Sequence, residues 1–392
     1  AALPLRIPSI HHPPSTTQRS AQAMSDLYIG LMSGTSLDGI DGVLADFSGE
    51  RMVVVQHAAA AFAPALRAEL LALNTPGPNE LHRAALAGNA LSLAYAGVVH
   101  SLLARSGQPA SAIRAIGAHE QTVRHRPQEF DGTGYTLQLG NPALLAERTG
   151  IAVVADFRSR DVAAAGQGAP LVPAFHQGVF GQAHQTVLVL NIGGISNLSV
   201  LATDGQVQGF DCGPGNALMD HWCQLHTGQP FDAGGAWAAT GRVLPALLAT
   251  LLQEPFFHKP PPKSTGRDLF NPAWLGAHLQ GFEEAAPVDV QATLTELTAS
   301  ACSISADSYL NDSTLLAVCG GGALNTYLMA RMQAICSQAR VVSTDVLGLP
   351  ALQVEAAAFA WLARQALHAR PGNLPAVTGA IGPRVLGAVY PA

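Results

Sequence analysis

The stretch DLYIGLMSGTSLDGIDGVLADF, residues 26–47, places a turn of small polar residues between two apolar runs. Apolar runs on either side of a Gly-rich turn are typical of two strands joined as a hairpin. Another apolar run, RMVVVQHAAA (residues 51–60), predicts a third strand directly after them. Three consecutive strands are therefore expected, and the polar turn between the first two is a candidate ligand-binding loop.

The same order recurs in the second half of the chain. TVLVLNIGGISNLSVL (186–201) again predicts a strand, a Gly turn and a strand, and GQVQGFDCG (205–213) predicts the third strand. Ala/Leu-rich helical segments follow each triplet, and AIGAHEQTV (115–123) and GIAVVADF (150–157) are each expected to form a short buried strand. This repeat predicts a duplicated α/β lobe, with two unrelated hairpins as the alternative.

The length of 392 residues also favours two lobes, because it exceeds what one hydrophobic core usually supports. We expect a disordered leader at residues 1–24, because this segment is rich in Pro, Ser and Thr. A first lobe is expected at 25–157 and a second at 158–369, with residues 370–392 returning to the first. A cleft between the lobes follows from this arrangement.

The composition argues against nucleic-acid and membrane partners. Lys and Arg number 21 against 27 Asp and Glu, so the formal net charge is −6 and no basic stripe could neutralise phosphates. No segment reaches the ~20 consecutive apolar residues that a membrane helix needs. The five cysteines lack C-x-x-C spacing, so we expect reduced, buried thiols in a cytoplasmic protein.

Gly-rich turns can bind anionic groups without a basic cluster, because backbone N–H groups and small hydroxyls approach the ligand closely. The two hairpin turns and the strand-to-helix turn VCGGGALN (318–325) predict such a phosphate site, whereas simple chain reversal is the alternative. Competing motifs are incomplete. No G-x-x-x-x-G-K-[ST] is present, Leu218 replaces the third Gly of a dinucleotide motif, and Val123 replaces the second His of a zinc-protease motif.

Several longer motifs occur in a fixed order from residue 26 to the C terminus. They are GLMSGTSLDGIDGVL (30–44), GNPALLAERTGIAVVADFRSRDVAAAGQGAPLVPAFH (140–176), LNIGGISNLS (190–199), GFDCGPGNALMDHW (209–222), PPKSTGRDLFN (261–271), VCGGGALN (318–325) and VEAAAFAWLA (354–363). In these motifs the chain resembles the bacterial anhydro-N-acetylmuramic acid kinases. The resemblance implies the duplicated two-lobe actin-like ATPase fold of sugar kinases, which closes over ATP.

The activity that the resemblance implies joins hydrolysis to phosphoryl transfer. The 1,6-anhydro sugar has no free 6-hydroxyl, so water must open the internal ether while the 6-oxygen takes the γ-phosphoryl group of ATP. N-acetylmuramic acid 6-phosphate and ADP are the implied products, in peptidoglycan recycling. An ordinary hydroxyl kinase of another amino sugar, or a nucleotide-dependent regulatory binding protein, remains an alternative. The family also suggests a homodimer.

The resemblance places the catalytic carboxylates at Asp211 and Glu355. Asp211 is the implied general base, and capping of the following helix is its structural alternative. Glu355 is expected to orient the water, and an ordinary helical Glu is the alternative. The implied contacts to the sugar and its lactyl carboxylate are Arg160, Asp161, His119, Gln121, Thr122 and Asn141, although Asp161 could instead cap a helix.

For ATP and Mg²⁺ the resemblance implies the three Gly turns. The expected nucleotide-binding residues are Gly34, Thr35, Ser36, Leu37, Asp38, Gly39, Ile40, Asp41, Gly193, Gly194, Gly320, Gly321 and Gly322. Asp38 and Asp41 are the implied Mg²⁺ carboxylates, whereas Met32 stands where many superfamily members have Asp. Two further departures are Glu120 and Ala165, each at a family glycine. If those positions have positive φ, the side chains introduce strain of about 1 kcal/mol or more.

Overall fold

The computed structural model describes residues 26–34, 37, 39–266 and 269–392. The leader and the predicted contacts of Thr35, Ser36 and Asp38 lie outside the described residues. The strands are β1 (Leu27–Met32), β2 (Ile40–Asp46), β3 (Val53–Ala60), β4 (Ile113–Ala118), β5 (Gln121–Pro127), β6 (Gly134–Leu139), β7 (Val153–Ala155), β8 (Val187–Ile192), β9 (Ile195–Leu201), β10 (Val207–Pro214), β11 (Thr314–Cys319), β12 (Ala339–Ser343) and β13 (Ala388–Tyr390). The helices are α1 (Pro64–Ala72), α2 (Glu80–Ser106), α3 (Pro142–Thr149), α4 (Ser159–Val162), α5 (Val172–Phe180), α6 (Ala217–Thr227), α7 (Pro245–Leu251), α8 (Pro272–His278), α9 (Pro287–Ala306), α10 (Thr326–Ile335), α11 (Val354–Leu367) and α12 (Pro375–Thr378).

Two sheets repeat one strand order. The first sheet has the order β13-β7-β4-β1-β2-β3, and the second has the order β10-β9-β8-β11-β12. In each, three antiparallel strands follow one another in the chain, and a parallel strand then pairs with the first of them. The predicted duplicated two-lobe α/β fold is therefore confirmed.

Two helices exchange between the lobes. α5 follows the first sheet but packs on β8, β9 and β10, whereas α11 follows the second sheet but packs on β1, β2 and β4. The close packing of α11 requires glycine beneath it, because a Cβ at Gly30 or Gly117 would lie 1.8 Å from the Ala356 carbonyl oxygen or 2.0 Å from that of Phe359. The first turn of α11 is thereby held at the end of β1, and β13 returns to pair with β7.

The segment AIGAHEQTV does not form the single strand that we expected. β4 ends at Ala118, Glu120 adopts a positive φ of 62°, and Gln121 begins β5, which pairs with β6 as a separate two-stranded sheet. A left-handed residue cannot continue a pleated strand, so the chain turns at Glu120. This turn lies at the carboxyl end of β4, beside the end of β1.

α2 is a core helix of the first lobe. Among the described residues it alone is long and apolar enough, by length and composition, to cross a membrane, and 50% of its apolar window is buried inside the protein. It packs on β2, β3 and α3. Burial against a sheet explains the apolar composition, as in the core helices of other globular proteins.

Candidate active site

A cavity of about 710 Å³ lies between the two lobes. All three Gly-rich turns line it, through Gly34, Gly39, Gly193, Gly194, Gly320 and Gly321. The first lobe adds Asp41 and Arg67, and the start of α11 adds Glu355. The turns that the sequence singled out are therefore brought together around one cavity.

The second Gly turn presents backbone to this cavity. The carbonyl oxygens of Gly193 and Gly194 accept hydrogen bonds from the N–H groups of Gly215, Asn216 and Ala217. A Cβ at Gly215 would lie 2.2 Å from the Gly193 oxygen, whereas one at Gly193 would meet no atom nearer than 3.7 Å. Gly215 is thus required for packing, and Gly193 leaves space through which a ligand can approach.

Three other residues predicted to bind the nucleotide, Leu37, Ile40 and Gly322, take part in packing instead. Leu37 and Ile40 are buried in the core of the first lobe, at 2% and 1% exposure. A Cβ at Gly322 would lie 2.4 Å from the Ile192 side chain, so this glycine serves the packing of β8. Gly320 has a φ of 78° and lies against Asn191, and it remains at the cavity wall.

Two carboxylates face the main cavity from opposite elements. Asp41 on β2 forms a hydrogen bond between its Oδ1 and the His57 Nε2 at 3.1 Å. Burial raises the pKa of Glu355, and the negative charge of Asp41 raises it further. The charge of Arg158 and a hydrogen bond from Asn191 oppose this rise. The net effect is that the pKa of Glu355 lies above its ordinary value, so its proton affinity is increased.

Asp211 lies in β10 at a register shift and lines neither of the two adjoining cavities. Its Oδ2 accepts hydrogen bonds from the Ser264 hydroxyl and the Thr265 N–H, both at 2.9 Å. Burial raises the pKa of Asp211, and these two hydrogen bonds oppose the rise. Asp211 does not cap α6, whose N-cap residue, Asn216, makes no side-chain capping bond. Its neighbour across the strands is Asn197.

His119 links the first Gly turn to Arg158. Its Nδ1 donates a hydrogen bond to the Ser33 carbonyl oxygen (3.1 Å), and its Nε2 accepts one from the Arg158 guanidinium (2.8 Å). Burial, together with the charge of Arg158, lowers the pKa of His119 to about 3. The neutral ring is held in one tautomer, and Arg158 is held beside it.

Gln121 and Thr122 begin β5 at the edge of the first lobe. The Gln121 amide nitrogen donates to the Gly34 carbonyl oxygen (3.2 Å), and Thr122 accepts from the amide nitrogen of Gln138 (3.1 Å). Within the described chain, the Oε1 atoms of Gln121 and Gln138 are buried without a hydrogen-bond partner. Two unpaired acceptors suit a ligand that carries hydroxyl or amide hydrogens.

Asn141, Asp161 and Arg160, the other three predicted sugar contacts, lie in three different environments. Asn141 is the N-cap of α3, because its Oδ1 accepts from the Leu144 N–H at 3.0 Å. Asp161 is fully buried and accepts hydrogen bonds from Gly168, Asn373 and Thr378, which favours a structural role. Arg160 is exposed and lines none of the cavities that adjoin Glu355.

The two departures from the family pattern both have left-handed backbone. Glu120 has a φ of 62° and Ala165 a φ of 64°. Glu120 is also 5% exposed, and burial, together with the charge of Asp156, raises its pKa to about 8. The expected strain therefore applies at both positions, and Glu120 adds a buried carboxyl group beside His119.

Sequence reasoning missed several residues of this site. Arg67 lines the main cavity from α1, where its Nε donates to the Leu37 carbonyl oxygen at 3.0 Å. Arg158 is two residues before the predicted Arg160, and the DFRSRD segment alone did not show which arginine faces inward. Asn191 ends the apolar run of β8, and a polar residue at that point was the available signal.

The described residues contain no group of three or more His, Cys, Asp or Glu side chains that could hold a metal by themselves. Mg²⁺ usually takes only one or two protein carboxylates and completes its shell with phosphate oxygens and water. Asp41, whose side chain is 43% exposed at the cavity, fits that requirement.

Comparison with known proteins gives a consistent result. A family model described as anhydro-N-acetylmuramic acid kinase matches residues 26–392. The anhydro-N-acetylmuramic acid kinase of Variovorax paradoxus is 67% identical over 372 residues, which cover 94% of this chain and 99% of that protein. Its counterpart in Albidiferax ferrireducens is 62% identical over 389 residues, covering 94% of this chain and 100% of that protein. Among solved structures, the activator of the 2-hydroxyisocaproyl-CoA dehydratase from Clostridium difficile with bound ADPNP matches 86% of this chain and 97% of its own, with 12% identity and a TM-score of 0.43.

Proposed function

This chain belongs to the anhydro-N-acetylmuramic acid kinase family, and we propose that it uses ATP and water to convert 1,6-anhydro-N-acetylmuramic acid to N-acetylmuramic acid 6-phosphate. The resemblance inferred from the motifs is confirmed by the family match over residues 26–392. The observation that carries the proposal is the single cavity in which three Gly turns meet Glu355. Such a cavity offers a phosphate-binding backbone and a carboxylate at one place.

We propose that the phosphates of ATP lie along the Gly turns. Gly193 supports this placement, because the space beside its Cα is open, and Gly34 and Gly320 form the facing walls. Arg67 supplies a positive charge from the first lobe. Backbone N–H groups and one cation stabilise phosphate charge without a lysine-containing loop.

The ring-opening step needs a group that takes a proton from water. We propose Asp211 as this general base and Glu355 as the residue that orients the water. Asp211 is supported by its raised pKa and by the two donors that fix its Oδ2, while no described residue donates to its Oδ1. Glu355 is supported by its position at the cavity wall. Water attacks the anomeric carbon, the bond to the 6-oxygen breaks, and that oxygen takes the γ-phosphoryl group.

The sugar is proposed to lie on the first-lobe edge formed by His119, Gln121 and Thr122. The unpaired Oε1 of Gln121 supports this placement, since a sugar hydroxyl or amide N–H would satisfy it. Arg160 is proposed to meet the lactyl carboxylate from its exposed position at the start of α4. Asp161 supports the same loop through its buried hydrogen bonds.

We propose Mg²⁺ as the metal that accompanies ATP, held by Asp41 and, outside the described residues, by Asp38. When bound, the ion neutralises charge on the phosphates. A cytoplasmic location is proposed because the five cysteines are free and buried. A homodimer is proposed as well, and the exposed side chains of Leu81, Leu86 and Leu93 on α2 offer apolar surface for it.

An ADP-release assay with and without the anhydro sugar tests the proposal. We expect ADP release to depend on the sugar, and we expect ¹⁸O from labelled water to appear at the anomeric carbon of the product. An ordinary hydroxyl kinase would release ADP without that label. A regulatory nucleotide-binding protein would release ADP at a rate that the sugar does not change.

A further inference from the structure

A second cavity, of about 170 Å³, lies behind the main one and shares the walls formed by Asn191 and Glu355. The crossing helix α5 contributes Val172 and His176 to it, and Asn197 on β9 contributes a further amide group. We call it the rear cavity. It lies at the side of Glu355 that faces α5, where the two lobes exchange helices.

Two buried polar atoms at the rear cavity lack hydrogen-bond partners within the described chain. His176 is 1% exposed, and its Nδ1 is bonded to the Ser199 hydroxyl at 2.9 Å, while its Nε2 has no partner. Asn191 is 8% exposed, and its Oδ1 has no partner although its amide group bonds to Glu355. A buried polar group without a partner is destabilising, so a ligand that pairs with it is favoured.

Water is the ligand that satisfies both atoms. Water occupies about 30 Å³ per molecule in the liquid and needs two to four polar partners when buried. The rear cavity has room for several molecules, and Arg158, Asn197 and Glu355 supply further donors and an acceptor. The wall is mixed: these polar groups, which can hold water, lie beside apolar residues such as Leu171, Val172 and Val354.

We propose that the rear cavity holds ordered water and supplies the molecule that opens the anhydro ring. The inference rests on the proposed function, because only a hydrolytic kinase consumes water. The nucleophile's oxygen forms a bond to the anomeric carbon, and one of its protons passes to a carboxylate. The bond between that carbon and the 6-oxygen breaks, and its electron pair forms the new bond to the γ-phosphorus as ADP leaves.

The position of the rear cavity gives it this role. Once ATP and the sugar fill the main cavity, bulk water must be kept away from the γ-phosphate. The two cavities share Asn191 and Glu355 as lining residues. Water in the rear cavity therefore lies beside a carboxylate and an amide that also line the main cavity, and from there it is proposed to reach the anomeric carbon.

The experiment compares two substitutions with a control on the same helix. Val172→Phe fills the rear cavity, and His176→Phe replaces the unpaired nitrogen by an apolar ring edge. Gly178→Ala is the control, because its Cβ would meet nothing nearer than the Trp361 Nε1 at 3.9 Å. The measurements are kcat in the ADP assay, the Kd values of an ATP analogue and the sugar, and the number of long-lived waters from magnetic relaxation dispersion.

We expect Val172→Phe and His176→Phe to lower kcat about tenfold or more, as loss of a positioned reactant does, with both Kd values within about threefold of wild type. We also expect Val172→Phe to lose long-lived waters and Gly178→Ala to match wild type. An unchanged water count, an unchanged kcat, or a loss of ligand affinity as large as the loss of kcat would overturn the inference.

A different result is expected if the proposed function itself is wrong. In that case the wild-type protein would release no ADP in response to the sugar, whatever the relaxation measurement showed. If the wild type is active and holds no long-lived water, the proposed function stands and the rear cavity is rejected as the water source.

Discussion

The two lobes share one strand order but differ in the residues at left-handed backbone positions. The first lobe (25–157) has six non-glycine residues at such positions among its described residues: Leu37, Asn79, Glu120, Gln128, Phe130 and Asp156, with φ from 53° to 66°. The described part of the second lobe (158–369) has two, Ala165 and Ala369, with φ of 64° and 51°, and its other residues with positive φ are glycines. A non-glycine residue in this region costs about 1 kcal/mol or more, so backbone strain is stored in the first lobe.

Two aspartates, Asp161 and Asp211, differ in how their carboxylate oxygens are paired. Asp161, which follows the first sheet, is fully buried, and both of its oxygens accept hydrogen bonds. Asp211, in the second sheet, accepts hydrogen bonds from the described residues at Oδ2 alone. Asp161 is therefore held at both oxygens by its surroundings, whereas Asp211 is held at one within the described residues.

The largest expected effect separates these two aspartates. Asp211→Asn should lower kcat about 10²-fold or more, because the amide keeps the shape but cannot accept the proton. The Kd values for ATP and sugar should change little. Steady-state kinetics and calorimetry check this outcome, and near-normal turnover in a folded variant would move the general base to Glu355.

Asp161→Asn is the matched variant on the other side of the comparison. It turns one acceptor into a donor that faces other donors, so we expect a loss of about 2–4 kcal/mol in the free energy of unfolding. Denaturant unfolding measures this loss. If Asp161→Asn instead left stability intact and abolished turnover, the contrast between the two aspartates would be wrong.

The next largest effect is expected from Gly194→Val, as a loss of ATP affinity. This variant tests whether the Gly turn of the second lobe holds the phosphates. A branched side chain occupies the space through which backbone approaches phosphate, so ATP affinity should fall about tenfold or more, with a smaller change for the sugar. Gly193→Ala is the milder companion, because its Cβ has no neighbour within 3.7 Å. Equal losses for both ligands, with reduced thermal stability, would indicate misfolding instead.

The sequence predicted the lobes, the three Gly turns and the neighbourhood of Glu355, because each depends on local patterns of apolar and small residues. It did not predict the turn at Glu120, since the positive φ there is imposed by the surrounding fold against the preference of the side chain. It also did not show that Arg158 rather than Arg160 faces inward. That choice depends on His119, 39 residues earlier in the chain, and such contacts between distant residues leave no local signal.

The pH dependence of the free energy of unfolding tests the buried carboxyl group of Glu120. The pKa of Glu120 in the folded protein, about 8, lies above its ordinary value of 4.5, so stability is lost as pH rises from about 4.5 through 8. Glu120→Gln removes this loss and keeps the backbone strain. We expect it to match wild type at pH 5 and to be more stable by about 1 kcal/mol or more at pH 8.5.

Thermal or denaturant unfolding at the two pH values measures this difference. The pKa of His119 is lowered from its ordinary value of 6.5 to about 3. This group therefore reduces the stability of the folded protein only as pH falls below 6.5, and the loss is the same in the variant and in wild type. A difference between Glu120→Gln and wild type that is the same at pH 5 and pH 8.5 would show that the carboxyl is solvated in the folded state.

The smallest effect isolates backbone strain itself. Ala163 and Ala165 are both exposed alanines, two residues apart, but their φ values are −63° and 64°. Replacing a right-handed alanine by glycine destabilises by about 0.5–1 kcal/mol, because the unfolded chain gains freedom. The same gain applies to Ala165→Gly, but there the removal of Cβ also relieves about 1 kcal/mol of steric cost.

We therefore expect Ala163→Gly to lower the free energy of unfolding and Ala165→Gly to raise it by up to about 0.5 kcal/mol. Denaturant midpoints for the pair settle the sign. If both variants are destabilised equally, the left-handed backbone at Ala165 stores no strain.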